Sequence, residues 1–143
     1  MTISSLRTTT STNLRTLETA LRHFSDPESR SRYFDLYDRD CVLHGYPGVE
    51  PGFASIKAFY ESFWAAFPDV RITIDDAFEN GDKLACRFTC RGTHRGPFMG
   101  VGASGKRIEF SGITILEFRG GRCVERWSQA DFLTVLVQIG AIR

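Results

Sequence analysis

Two polar side chains of catalytic type, His94 and Asp131, stand at the ends of predicted strands. His94 lies in Gly92–Phe118, which reads GTHRGPFMGVGASGKRIEFSGITILEF, and Asp131 lies in Glu125–Gly140, which reads ERWSQADFLTVLVQIG. An imidazole can polarise a carbonyl oxygen, and a carboxylate desolvated in an apolar cleft can exchange a proton with a carbon acid. These residue types predict acid/base chemistry beside an oxyanion.

Strand alternation predicts that both side chains face the protein interior. The apolar face through Leu84 and Cys90 continues to His94, and Asp131 shares the parity of Trp127 and Gln129. Each has a structural alternative. Asp131 can cap a helix beginning at Phe132, and His94 can hydrogen-bond a loop carbonyl and hold the turn.

A set of aromatic and polar residues on the same predicted faces and at the loop after the first strand would contact a flat, hydrophobic ligand. The predicted substrate-binding residues are His44, Tyr46, Phe59, Phe63, Phe88, Phe98, Met99, Phe110, Trp127 and Gln129. Taken singly, each of the large apolar residues is more often ordinary core.

The elements that position these residues follow from hydrophobic periodicity. A period of 3.6 predicts helices over 12–24 and 56–67, the second ended by Pro68, and a closing helix is predicted over 132–139. Asp26-Pro27, an N-cap followed by proline, predicts a short helix over 26–37. A period of two predicts strands over 41–44, 70–79, 84–94, 106–118 and 123–131, with a hairpin at Asn80-Gly81. Such long strands must curve, and Gly92 and Gly112 are the expected bend points. We therefore predict an α+β fold, a strongly curved antiparallel sheet wrapped around N-terminal helices to form a cone-shaped pocket, as in an α+β barrel.

Composition restricts the function classes. A length of 143 residues predicts one domain, at 13–143, after a polar tail at 1–12. The net charge of +1 gives no basic surface for nucleic acid, and no apolar run has the ~20 residues of a membrane helix. The four cysteines have no paired spacing, which predicts free thiols in a cytoplasmic protein. No metal-ligand spacing and no phosphate loop is present, so we predict neither a metal nor a cofactor.

Several short motifs, in this order, resemble the SnoaL-like family of polyketide and ester cyclases in the nuclear transport factor two-like (cystatin-like) superfamily. They are Phe67-Pro68-Asp69, Gly81-Asp82, GTHRGPFMGV at Gly92–Val101, Gly120-Gly121, Glu125–Trp127, Asp131 and Gln138–Gly140. The resemblance covers about residues 14–142. It implies an intramolecular aldol closure in which Asp131 matches the family's general acid/base. The family pairs this carboxylate with a histidine on the preceding strand, but 106–118 contains none.

The main hypothesis is a cofactor-independent enzyme acting on a hydrophobic carbonyl compound, with Asp131 exchanging the proton and His94 polarising the carbonyl. Hydration, dehydration, isomerisation or epoxide hydrolysis on the same fold are alternatives. So are a small-molecule-binding protein without catalysis and an interaction module. Ile113 and Ile115 are predicted on the outer sheet face, which predicts a homodimer.

Overall fold

The computed structural model describes residues 11–142. Residues 1–10 of the predicted polar tail therefore lie outside the described residues. The first helix begins after Ser11, whose hydroxyl accepts a hydrogen bond from the Leu14 N–H. The helices are α1 (Thr12–Phe24), α2 (Phe53–Ala66) and α3 (Phe132–Gln138), with a 3₁₀ helix at Arg30–Leu36. The strands are β1 (Tyr37–His44), β2 (Arg71–Asn80), β3 (Lys83–Thr93), β4 (Arg107–Arg119) and β5 (Arg122–Ala130).

The five strands form one sheet in the order β1-β5-β4-β3-β2. Neighbouring strands are antiparallel except β1, which lies parallel to β5. The α+β class, the curved sheet and the N-terminal helices confirm the prediction. The sheet stays open, however, with β1 and β2 as its edges, so it is not closed into a barrel.

The core lies between one face of the sheet and the helices. The predicted alternation holds through β3 and β4, where every second side chain from Leu84 to Cys90 and from Ile108 to Phe118 is buried wherever the residue is not glycine. Gly112 occupies the centre of this face. A Cβ added there would lie 2.5 Å from Cζ of Phe88, so a side chain would displace a ring that faces the interior.

A β-bulge in β5 reverses the predicted alternation. Phe118 pairs with Cys123, but Glu117 pairs with Glu125, which leaves Val124 as an extra residue. Because the side-chain period is two, one extra residue moves every following side chain to the other face. Cys123 and Arg126 are therefore both buried. The prediction that Trp127 faces the interior is wrong for this reason.

The remaining predicted elements are close to those observed, except that the second helix is a 3₁₀ helix and β1 begins at Tyr37 rather than Cys41. No helix in the described part of the chain has the length and apolar character needed to cross a membrane.

Candidate active site

A cavity of about 60 Å³ lies between the helices and the inner face of the sheet. We call it the central cavity. Most of its wall is aromatic. The aromatic side chains that line it are Phe24, Tyr33, Tyr46, Phe59, Tyr60, Phe63, Phe88, Phe110 and Phe132. Arg126, Ser128 and Cys90 add polar atoms to the wall.

Arg126 is the only charged side chain in the wall of the central cavity, as far as the described residues show, and it is 6% exposed. Its Nε donates to the Thr114 hydroxyl at 2.9 Å, and its Nη1 donates to the hydroxyls of Tyr37 at 2.6 Å and Tyr33 at 3.2 Å. Within residues 11–142, its Nη2 has no hydrogen-bond acceptor. The guanidinium therefore keeps donor capacity for a ligand.

The hydroxyls of all four tyrosines of the chain form one hydrogen-bonded network, which contacts this guanidinium through Tyr33 and Tyr37. Tyr37 lies 2.7 Å from Tyr33 and 3.0 Å from Tyr60, and Tyr60 donates to Tyr46 at 3.3 Å. The Tyr46 ring is half-buried, but its hydroxyl points inward and also accepts from Ser128 at 2.9 Å. Tyr46 also lines the central cavity, so its hydroxyl is placed to contact a ligand.

No carboxylate neutralises Arg126. Every Asp and Glu of the chain lies in residues 11–142, and none forms an ion pair with this guanidinium. Burial lowers the pKa of Arg126, but the tyrosine oxygens outweigh it and raise that pKa well above its ordinary value, so the group stays charged. An isolated buried cation is expensive, and real proteins retain one only where it has partners.

The tyrosines do not supply the missing negative charge. Burial raises the pKa of Tyr33, Tyr37, Tyr46 and Tyr60 above its ordinary value, and the attraction to Arg126 offsets this only in part. All four are therefore neutral phenols near neutral pH. The arrangement is a fixed cation surrounded by neutral hydroxyls at the polar end of an aromatic cavity, which is suited to holding an oxyanion.

A second depression, of about 350 Å³, opens beside the central cavity. We call it the outer groove. It is lined by the 47–49 loop, one face of α2, Phe98 and Met99, and it shares Phe59, Phe63 and Phe132 with the central cavity. We call these three shared rings the aromatic collar. Met99 has a φ of 48°, a conformation uncommon for residues other than glycine.

The structure brings seven of the ten predicted binding residues to these two spaces. Tyr46, Phe59, Phe63, Phe88 and Phe110 line the central cavity, and Phe98 and Met99 line the outer groove.

Three predicted binding residues lie elsewhere. Trp127 and Gln129 lie on the outer face because of the bulge at Val124, and His44 faces the same way. His44 Nε2 lies 2.7 Å from Glu125 Oε2, and its ring stacks on Trp127 with centroids 5.4 Å apart. These contacts form a surface cluster that does not reach the central cavity.

Asp131 does not point into the central cavity, so the predicted orientation is wrong. Its side chain is exposed and caps α3, accepting from the Thr134 N–H at 3.1 Å and the Thr134 hydroxyl at 2.6 Å. These hydrogen bonds lower the pKa of Asp131, whereas the prediction required desolvation to raise it. Asp131 follows Ala130 and precedes Phe132, both of which line the cavity, so it stands at the rim.

His94 is buried as predicted, but it does not line the central cavity. Its ring packs against Phe67, and its Nδ1 accepts from the Ser104 N–H at 3.1 Å. The ring proton is therefore on Nε2, which is buried and has no hydrogen-bond partner among the described residues. Nothing in the structure brings His94 and Asp131 together.

The alternation of side chains along the strands does not identify Arg126 and Ser128, two polar residues of the central cavity wall. Strict alternation from Trp127 and Gln129 puts both on the outer face, because β5 itself contains no glycine or proline to indicate a bulge. Tyr33 and Tyr60 were also missed, since a tyrosine on an apolar helix face is typical of core. No group of three or more His, Cys, Asp or Glu within residues 11–142 is placed to hold a metal ion.

Comparisons with known proteins agree with this geometry. The profile of the SnoaL-like polyketide cyclase family matches residues 15–139. IdmH from Streptomyces antibioticus, named as a candidate polyketide cyclase, is 30% identical, with a TM-score of 0.74 over 90% of this chain and 98% of its own. TsrD from Streptomyces laurentii is 27% identical, with a TM-score of 0.77 over 90% of this chain and 97% of its own.

AclR from Streptomyces galilaeus, named as a candidate hydroxylase, shares the fold at 23% identity, with a TM-score of 0.80 over 92% of this chain and 97% of its own. No curated protein matches the chain in sequence. The similar structures thus carry names from more than one reaction class, while the family match spans most of the chain. The chain belongs to the SnoaL-like polyketide cyclase family.

Proposed function

We propose that this protein is a cofactor-independent enzyme that closes a ring in a hydrophobic carbonyl compound by an aldol-type reaction, as a polyketide or ester cyclase. The observation that carries the proposal is the contrast between an aromatic cavity and the guanidinium at its base. An aromatic wall suits a flat, apolar substrate. The buried guanidinium of Arg126 suits the substrate oxygen on which negative charge develops. The similarity to IdmH supports the same class of reaction.

In the proposed mechanism, a substrate carbonyl oxygen approaches Arg126 Nη2 and the Tyr46 hydroxyl. Loss of an α-proton places negative charge on that oxygen, and the two donors stabilise the resulting enolate. Such donors act strongly because Arg126 is buried and is already held in place by the Thr114, Tyr33 and Tyr37 contacts. The aromatic collar holds the chain folded, so that the enolate carbon meets the second carbonyl.

In this mechanism the α-proton passes to a solvent water molecule at the open side of the central cavity, and the alkoxide that forms on the second carbonyl takes a proton back from solvent. The described wall of the central cavity contains no carboxylate and no imidazole. The sequence-based prediction that Asp131 exchanges the proton is not carried into this mechanism, because its carboxylate is exposed and engaged with Thr134. Five residues of strand span roughly 17 Å, so Asp131 and Arg126 are too far apart to act on neighbouring atoms. The proposed role of His94 stays a prediction, although its Nε2 lies outside the cavity wall.

The lack of a carboxylate or imidazole in that wall favours one other candidate, a small-molecule-binding protein without catalysis. Hydration, dehydration, isomerisation or epoxide opening remains a finer alternative, since each develops charge on an oxygen that Arg126 would stabilise.

We also propose a homodimer in the cytoplasm. Ile113 and Ile115 are 58% and 38% exposed on the outer sheet face, which supports burial against a second copy. The four free cysteines, all buried, support a reducing compartment. Sedimentation at micromolar concentration tests the dimer. We expect two subunits for the wild type and one for Ile113→Glu, and a monomeric wild type would contradict this proposal.

Enolisation is the step to measure, because it does not require the natural substrate. The protein is incubated in D₂O at pH 7 with 2-acetonaphthone and with linear aromatic poly-β-ketones. Mass spectrometry follows deuterium uptake at the α-carbon and loss of water on ring closure. We expect uptake above the protein-free rate, abolished in Arg126→Met. Binding by thermal shift without uptake or ring closure for any compound would overturn the catalytic proposal and leave the binding protein.

A further inference from the structure

The chemical class of the ligand follows from the charge of Arg126, an argument that rests on the proposed function and narrows it. The Arg126 side chain is buried among neutral hydroxyls and aromatic rings, and no acidic side chain of the chain pairs with it. A neutral ketone or ester oxygen would accept a hydrogen bond from it but would leave the positive charge uncompensated. An anionic oxygen would accept the same hydrogen bond and compensate the charge.

The size of the two spaces fixes how such a ligand is oriented. The central cavity, at about 60 Å³, admits a few atoms, whereas whole-ligand pockets usually measure roughly 300–1,000 Å³. The outer groove, at about 350 Å³, is large enough for a ring system. Because Phe59, Phe63 and Phe132 line both spaces, a ligand with its small polar end beside Arg126 would have its apolar body against the aromatic collar and in the outer groove.

We propose that the natural ligand carries an acidic oxygen, either a carboxylate or the enolate of a 1,3-dicarbonyl group, and that this oxygen pairs with Arg126 at the base of the central cavity. The neutral tyrosines position the guanidinium and do not replace the anion. Raised tyrosine pKa values agree with this assignment, because phenols that stay protonated leave the cation free to bind.

The test compares two compounds of the same shape and different charge, 2-naphthylacetate and 2-naphthylacetamide, by isothermal titration calorimetry at pH 7. We expect the carboxylate to bind about 10- to 100-fold more tightly, the range that a charge-assisted hydrogen bond supports. A third probe, 2-naphthoylacetone, distinguishes the two sources of the anion. Appearance of its enolate absorbance on binding identifies the 1,3-dicarbonyl form, and tight binding of the acid alone identifies a carboxylate.

Three variants test whether the positive charge of Arg126 causes the preference for the acid. Arg126→Met should abolish the preference for the acid over the amide, and Arg126→Lys should retain a weaker preference because the charge remains. Arg122→Met, at an exposed arginine of the same strand, is the matched control and should leave the preference intact. If Arg126→Met does not fold, the preference for the acid over the amide is compared between wild type and Arg126→Lys instead, and an unchanged preference would overturn the inference.

Equal binding of acid and amide to the wild type would overturn the inference, and so would a preference that survives in Arg126→Met. Failure of all three probes to bind at millimolar concentration would also overturn it. None of these results removes the proposed enolisation of neutral ketones, which is measured separately by deuterium uptake.

Discussion

Nη1 of Arg126 lies 2.6 Å from the hydroxyl oxygen of Tyr37, deep inside a domain where no carboxylate pairs with this guanidinium. The Tyr37 hydroxyl is a neutral partner, so it holds the guanidinium by a hydrogen bond without neutralising its charge. We infer that this arrangement is kept for ligand binding rather than for stability. Sites of this kind commonly lower stability in exchange for function.

Replacing Arg126 by methionine tests that inference in the unliganded protein. Methionine has a similar length and carries no charge, and replacing buried ionic groups by apolar ones is often neutral or stabilising by ~1–4 kcal/mol. We expect the free energy of unfolding in urea to be unchanged or higher. Arg126→Lys keeps a buried charge and loses the donor to Thr114, so it should be less stable than the methionine variant. A methionine variant less stable than wild type by more than ~2 kcal/mol would assign Arg126 a structural role.

Gly112→Ala should destabilise the fold at the centre of the sheet. The added Cβ would lie 2.5 Å from Cζ of Phe88 and 2.8 Å from the backbone oxygen of Gln129, so ring and backbone must both shift. Overpacking of this kind costs ~1–3 kcal/mol in the free energy of unfolding. The matched control is Gly102→Ala, where no atom lies within 4 Å. Equal stabilities of the two variants would contradict the tight packing of Gly112 against Phe88.

A pH-dependent contribution is expected from Asp69, which holds the end of β3. Its carboxylate accepts from the N–H and the hydroxyl of Thr93, both at 2.7 Å. Burial acts to raise the pKa of Asp69, but these hydrogen bonds outweigh it and the pKa is lowered. A carboxyl with a lower pKa in the folded state stabilises the fold above its unfolded pKa of ~3.9, and this stability is lost as the pH falls through the folded pKa.

The measurement is urea unfolding of the wild type and Asp69→Asn from pH 7 down to pH 3. The wild type should be more stable at pH 7, and the difference should narrow below about pH 4. Asp76→Asn changes an exposed carboxylate that has no hydrogen-bond partner among the described residues, so it serves as the control. A difference between wild type and Asp69→Asn that is constant with pH would show that ionisation of Asp69 does not matter.

The cap of α3 gives a contrast between two variants of Asp131. Asparagine caps helices about as well as aspartate, whereas alanine leaves the Thr134 N–H without its acceptor. We expect Asp131→Asn to melt near the wild-type temperature and Asp131→Ala to melt lower. Equal melting temperatures for the two variants would mean that the cap contributes nothing to the fold.

Most of the fold was predictable because it depends on local patterns. Pro68 and the hairpin at Asn80-Gly81 lie at the expected boundaries, and the inward residues of β3 and β4 follow strict alternation. The base of the site was not predictable for a specific reason. Val124 adds one residue to β5, and the choice of Val124 depends on long-range pairing with β4 that no local signal carries. Uninterrupted alternation from Trp127 therefore places Arg126 on the outer face.

The aromatic wall of the central cavity, by contrast, was predictable from the sequence. Phe59, Phe63 and Phe110 were identified from helix and strand periodicity, and they do line the central cavity. Asp131 was selected on the resemblance of its position, and its side chain turned out to accept hydrogen bonds from its own helix. Periodicity predicts the face of a residue, but it does not predict which local hydrogen bonds its side chain will make.

The most direct test of the central claim is deuterium uptake into 2-acetonaphthone, measured side by side for wild type, Arg126→Met and Asp131→Asn. Because Arg126 is proposed to stabilise the oxyanion, the rate of deuterium uptake with Arg126→Met should be about 10²–10³-fold lower than with wild type, the usual loss for an oxyanion donor. Asp131→Asn should stay within a few-fold of wild type, because its carboxylate is exposed and engaged with Thr134. The reverse pattern, with Arg126→Met active and Asp131→Asn reduced by ~10²–10⁴ as for a general acid/base, would contradict the account.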